Sequence, residues 1–207
     1  LILKDIIKNL KVGDAVPVPP EPRAESEIMA NWKGDLSQPL VSIVCHTYNH
    51  VNYIKDALNG FLMQETDFPF EIIVHDDAST DGTTEIVKEY VEIYSNIIVP
   101  VIQSENKWSK GVMPRSFTFP KVRGKYIALC EGDDYWVSAS KLKSQVSNFK
   151  CGVSLVFHDS IRCENFLVSA TSYYNESKVP VVGYKPFQMR VALKHLLLQQ
   201  FSYQNPS

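Results

Sequence analysis

Short apolar runs alternate with helically spaced apolar residues from Leu40 to Phe157, and this rhythm constrains the fold more than any other feature of the sequence. Leu40 to Cys45 predicts a buried strand, and Ile54, Ala57, Leu58, Phe61 and Leu62 then fall on one face of a helix over 52–63. A second strand is predicted over 70–74 and a second helix over 83–94. A third strand follows over 97–102, a fourth over 125–130 and a fifth over 153–157. A helix over 138–149 is expected to be capped by Ser138 or Ser140, and Pro114 and Pro120 interrupt a helical segment over 112–122. Strand and helix alternating at this spacing predict an α/β fold with a mostly parallel central sheet flanked by helices.

Outside the rhythm the signal is weaker. Residues 1–10 have the spacing of a short amphipathic helix, and the Pro-rich stretch 16–25 reads as an extended linker. The expected organisation is therefore an N-terminal helix and linker over 1–27 and one domain over 28–207. Residues 160–184 predict a hairpin or an irregular excursion, and 191–200 an apolar helix. A net charge of −2 argues against a nucleic-acid partner, and no apolar run approaches the ~20 residues of a transmembrane span. None of the four cysteines forms a C-x-x-C pair, so buried free thiols in a reducing compartment are expected rather than zinc.

In an open parallel sheet, ligands bind beyond the carboxyl ends of the strands. The residues after each predicted strand are polar: His46-Thr47-Tyr48-Asn49-His50, then His75-Asp76-Asp77, then Gln103 to Asn106, then Glu131-Gly132-Asp133-Asp134, then His158-Asp159. Helix capping by Ser79, Thr80 or Asp81 with Glu85 explains part of the second cluster, but not its adjacent carboxylates. Three acidic residues within four positions, Glu131 to Asp134, repel one another unless a cation offsets them. Mg2+ or Mn2+ suits an all-oxygen site and is commonly shared with substrate phosphates. No G-x-x-x-x-G-K-[ST] loop and no G-x-G-x-x-G fingerprint occurs, so the P-loop and dinucleotide readings are not supported.

Three segments, 41–49, 76–83 and 124–136, resemble in order and spacing the inverting family-2 glycosyltransferases of the GT-A fold. The resemblance covers about 28–204. It implies a nucleotide-diphosphate sugar donor, most often a UDP-sugar, with Mg2+ or Mn2+, and a saccharide or lipid-linked acceptor hydroxyl. It places His46, Thr47, Tyr48 and Asn49 at the nucleoside, with His46 where the family usually has Pro. It gives Asp77 to the uracil ring with Asp76 beside it, and Arg115 to the diphosphate. Asp134 would ligate the metal directly, Asp133 would touch metal, ribose or sugar, and Glu131 stands at the first position of the family's DXD motif. Surface-polysaccharide synthesis is the family-level expectation, in the cytoplasm and docked peripherally where lipid-linked acceptors sit.

The general base is the departure. In the family it is a carboxylate beyond a helix like 191–200, yet Glu176 is the last acidic residue here. Asp159 is the weak internal candidate, and the domain is expected to be truncated at its C-terminal side. The alternative is a nucleotide-sugar-binding module without transfer activity; a nucleotidyltransferase on the same architecture would need a basic Gly-rich loop that the first strand lacks.

Overall fold

The computed structural model describes residues 11–149, 155–156, 162–164 and 167–170. The chain divides into two compact units, one of them Pro17–Lys143. That unit holds α1 (Glu25–Met29), β1 (Val41–Thr47), α2 (Ile54–Leu62), β2 (Phe70–Asp76), α3 (Thr83–Ile93), β3 (Ile98–Ile102), α4 (Arg115–Thr118) and β4 (Tyr126–Glu131). A further helix, α5 (Lys141–Ser147), begins at its end. In the other unit, β5 (Arg162–Glu164) and β6 (Leu167–Ala170) pair antiparallel, the hairpin expected within 160–184.

The four strands of the larger unit form one all-parallel sheet in the order β3-β2-β1-β4. This is the predicted α/β arrangement of the GT-A type. The order reverses at β1: β2 and β3 extend to one side, and β4 returns to the other. The carboxyl ends of β1 and β4 therefore form the topological switch point, the position where such sheets bind ligands.

Helix α2 buries Ile54, Ala57, Leu58, Phe61 and Leu62 completely, the i, i+3, i+4, i+7, i+8 stripe that the sequence predicts. Each of its larger side chains contributes about 1.5–3 kcal/mol by leaving water. Ile43, Cys45, Ile72 and Val74 of the sheet are fully buried as well. Gly60 brings α2 onto the segment after β4: a Cβ there would stand 2.8 Å from the backbone N and O of Trp136. The Trp136 ring meets Phe61 edge-on at 4.8 Å. Buried Gln64 donates to the carbonyls of Gly60 and Ser138 and accepts from Leu142 N–H at 3.0 Å. The acidic turn after β4 is thus flanked by a segment fastened to the core.

The Pro-rich stretch from Pro17 onward belongs to the same compact unit as the sheet. Lys55 pairs with Glu21 at 2.9 Å, Tyr94 Oη donates to the Arg23 carbonyl, and both Asn96 N–H groups reach Glu25. Ile28 is buried. Two prolines leave only the short helix α4 and a 3-10 turn, Phe119–Lys121, within the segment expected to be helical. The predicted helix over 1–10, the helix over 191–200 and most of the predicted strand over 153–157 lie outside the described residues, and Leu155 and Val156 are not in a strand.

Candidate functional site: the carboxyl edge at the β1–β4 switch point

Strand register brings the first and third motifs together. His46 pairs with Glu131 across β1 and β4, and Thr47 pairs with Asp76 across β1 and β2. Gly132 N–H donates to the His46 carbonyl at 2.8 Å, so the acidic turn starts as a continuation of the ladder. Gly132 itself is required sterically: a Cβ there would lie 2.7 Å from Thr47 Cβ and Oγ1 and 3.1 Å from His50 Nδ1.

The β1 loop is pinned from the β2 side. Asn49 N–H donates to Ser79 Oγ, His50 N–H to Thr83 Oγ1 and Val51 N–H to Asp81 Oδ2. Asn49 returns the contact by accepting Thr80 N–H through Oδ1. Its φ of 54° lies in the left-handed region that Asn tolerates. Tyr48 is exposed beside it.

Asp76 and Asp77 are buried at the end of β2. Asp76 accepts from Ser79 Oγ at 2.5 Å and from Thr84 Oγ1. Asp77 accepts the backbone N–H groups of Lys107 and Trp108 at 2.8 and 2.9 Å. The second cluster therefore holds the loop that follows β3. Ala78, between Asp77 and Ser79, has φ 63°, a strained value for a residue with a Cβ. The helix that follows is not capped as the sequence suggests. Gly82, at φ 107°, stands at the N-cap of α3. Asp81 instead accepts from Thr83 N–H and Oγ1, while Ser79 and Asn49 occupy the neighbouring donors.

On the sheet face above β1 and β2, His46 and His75 meet edge-on at 5.7 Å, and His75 stacks on Phe117. Burial, with the charges of His75 and Arg115, pushes the His46 imidazole down to about 4. His46 is therefore neutral at pH 7, 3.1 Å from Thr118 Oγ1 and 3.9 Å from Glu131. Arg115 is exposed at the start of α4, close enough for its charge to reach that imidazole.

The acidic turn contains the largest raised carboxyls of the site. Burial, then Asp133 and Asp134, pushes Glu131 up to about 7. Loss of surrounding water, then Asp133, pushes Asp134 up to about 6. Both side chains still reach solvent, which moderates the shifts. No Lys or Arg ion pair is formed by these three carboxylates among the described residues; Glu131 and Asp133 face His46 and His50 instead. The donor set suits a divalent cation. No group of three or more His, Cys, Asp or Glu side chains converges as a full protein cage among the described residues. Mg2+ and Mn2+ sites of the substrate-bridging kind need only one or two carboxylates, completed by phosphate and water. Asp133 and Asp134 meet that requirement.

Residues 42–195 match the family model described as glycosyl transferase family 2. The chain belongs to this family. The putative teichuronic acid biosynthesis glycosyltransferase TuaG of Bacillus subtilis is 32% identical over 165 residues, 75% of this chain and 62% of that protein. An uncharacterized protein of Mycobacterium tuberculosis is 45% identical over 107 residues, 51% of this chain and 30% of that protein. A crystal structure of Staphylococcus aureus TarS 1–349 in complex with UDP-GlcNAc aligns at 30% identity with a TM-score of 0.43, covering 52% of this chain and 30% of that one. The chain spans between about a third and three-fifths of the length of these relatives.

Among the expected site residues, the structure brings His46, Thr47, Glu131 and Asp133 to the β1–β4 edge, with Asp134 on the same turn, while Asn49 is tied to the loop after β2 through Ser79 and Thr80. Asp76 and Asp77 stand one strand away. Asp159 lies outside the described residues. The sequence reading assigned nothing to Gly132, His50 or Thr84. Adjacency to the motifs was the available signal for the first two; nothing marked Thr84.

Proposed function

We propose that this chain carries the donor-binding half of a metal-assisted, inverting glycosyltransferase that uses a nucleotide-diphosphate sugar, a UDP-sugar. The observation that supports it most is the acidic turn Glu131–Asp134 at the switch point, held against β1 and left without a Lys or Arg ion-pair partner among the described residues. Family membership supports the same reaction class.

In this proposal Thr47, Tyr48 and Asn49 form one wall of the nucleoside pocket, with His46 on the adjoining sheet face. Asp77 uses two acceptor positions on the backbone of Lys107 and Trp108, and a carboxylate has about four, so it keeps capacity for a uracil N–H. Arg115 attracts the diphosphate, and Asp133 and Asp134 hold Mg2+ or Mn2+ against it. When bound, that cation supplies Lewis-acid stabilisation of the departing nucleotide diphosphate. The acceptor is a saccharide or lipid-linked hydroxyl, activated by a carboxylate base on the opposite face of the sugar, which gives inversion. Access to a lipid-linked acceptor is peripheral in this proposal; no helix among the described residues is long and apolar enough to cross a membrane.

Titration with UDP, GDP, CDP and dTDP in Mn2+ tests the donor. The expected result is tightest binding of UDP; equal binding of all four, or of none, contradicts the assignment. UDP release from UDP-glucose, UDP-galactose and UDP-N-acetylhexosamines then separates transferase from binding module: UDP bound with no release from any sugar supports the module.

A further inference from the structure

We infer that His50 is a positioning residue for Asp133, donating a hydrogen bond from Nε2–H to that carboxylate when the donor and its metal are bound; this rests on the donor site proposed above. His50 Nε2 lies 4.0 Å from Asp133 Oδ2. No other ion pair or hydrogen bond to the Asp133 carboxylate occurs among the described residues. The gap is slightly too long for a hydrogen bond, and a shift of about 1 Å closes it.

The imidazole is placed by the fold. His50 N–H donates to Thr83 Oγ1 at 2.9 Å, and its carbonyl accepts from Tyr53 and Ile54 N–H at the start of α2. The ring sits against the backbone of Gly132, where a Cβ would meet Nδ1 at 3.1 Å. Backbone, ring and carboxylate are therefore in one contiguous stack, and Gly132 is what allows it.

Two buried polar atoms in this stack have no hydrogen-bond partner among the described residues: His50 Nδ1 and Thr47 Oγ1. Thr47 is 3% exposed. Both atoms lie within 3.1 Å of the same point, the position a Gly132 Cβ would occupy. An unpaired buried hydroxyl and an unpaired buried ring nitrogen are each unfavourable, and one bond between them removes both penalties. With Thr47 Oγ1–H donating to Nδ1, the ring proton resides on Nε2, which faces Asp133. A hydroxyl, an imidazole and a carboxylate then form one chain, and the carboxylate is oriented for its ligand. Partners that orient a metal-binding carboxylate in this way typically change metal affinity 10–100-fold when removed.

The test measures UDP affinity by calorimetry with and without Mn2+ in wild type, His50→Gln and His50→Asn. A Gln amide N–H reaches the place of Nε2, whereas an Asn amide stops near Nδ1. The expected result is a fall of about tenfold in the Mn2+ enhancement for His50→Asn, with metal-free affinity retained and most of the enhancement kept in His50→Gln. Thr47→Val should lower the same ratio less, because a lost nucleoside contact alone leaves the ratio unchanged. Wild-type enhancement followed by an unchanged ratio in His50→Asn overturns the inference while the donor site stands. Equal loss in Gln and Asn variants also overturns it, since it indicates a packing role. Absence of UDP binding in wild type, with or without Mn2+, overturns the donor site and this inference together.

Discussion

The two edges of the sheet both contain carboxylates, and they treat them in opposite ways. At the amino edge Glu71 is 1% exposed and fully partnered. It accepts from Ser42 Oγ at 2.5 Å and from Arg123 N–H and Nε at 2.9 and 2.8 Å, with Arg123 Nη2 at 2.7 Å. Ser42 Oγ in turn accepts Gly124 N–H at 2.8 Å, and that glycine has no room for a Cβ beside Ser42 N at 2.5 Å. At the carboxyl edge Glu131 and Asp134 are raised to about 7 and 6, with only histidines facing the cluster among the described residues. The same side-chain chemistry is ion-paired where a guanidinium is built in, and pushed toward the neutral form where like charges are set together at the carboxyl edge. Net charge does not distinguish the two; only the placement of partners does.

That contrast can be broken by mutation, and the largest effect is expected at the amino edge. Glu71→Ala leaves the Arg123 guanidinium, the Arg123 backbone N–H and the Ser42 hydroxyl without their acceptor. Breaking such a buried pair costs about 3–5 kcal/mol, and the half-exposed Arg123 places this one at the lower end. Chemical denaturation should show that loss, and an unchanged midpoint would mean the pair contributes nothing. At the carboxyl edge, UDP with Mn2+ at ~100 times the dissociation constant should add about 2.7 kcal/mol. Asp134→Ala should remove the metal-dependent part without lowering the stability of the unliganded protein.

Smaller effects sharpen the comparison. Gly132→Ala forces Thr47 or the turn backbone to move and should cost about 1–3 kcal/mol, with donor affinity lost in parallel. pH gives the sign of the carboxyl-edge charges. Glu131 and Asp134 are raised from ordinary values of 4.5 and 3.8, so their contribution is fully present below about pH 4 and is lost as pH rises through 6 and 7. Solvent screening keeps this below about 1 kcal/mol, readable as a declining melting temperature between pH 5 and 8 that added Mn2+ reverses. A rise over that window without metal would contradict the assignment of these groups. The smallest effect is at Ala78, where glycine relieves the left-handed backbone: Ala78→Gly should be neutral to about 1 kcal/mol stabilising.

Much of this architecture is legible in the sequence because it is written in local patterns. Residues 54–62 display their buried stripe within nine positions, and the four strand ends can be located by where apolar runs meet His46, His75, Gln103 and Glu131. Gathering those ends at one edge follows from parallel topology alone. Less legible is what depends on contacts distant in sequence. Nothing near Asp77 tells that its oxygens hold the backbone at Lys107 and Trp108, 30 and 31 residues on. The capping signal at Ser79, Thr80 and Asp81 points to the right place and the wrong bonds. Thr80 N–H is turned to Asn49 and Ser79 to Asp76, leaving Gly82 at the helix start. Glu21 to Glu25 reads as linker by composition, while its docking uses Lys55, Tyr94 and Asn96 from elsewhere in the chain.

The central claim is that the acidic turn after β4 holds a divalent cation and, through it, a donor diphosphate. Thermal unfolding of wild type and Asp134→Ala, each with UDP in the presence and absence of Mn2+, tests it most directly. Wild type should show a Mn2+-dependent gain of several degrees and Asp134→Ala none, with the unliganded variant melting no lower than wild type. A Mn2+-dependent gain that survives in Asp134→Ala, or no gain in wild type, would contradict it.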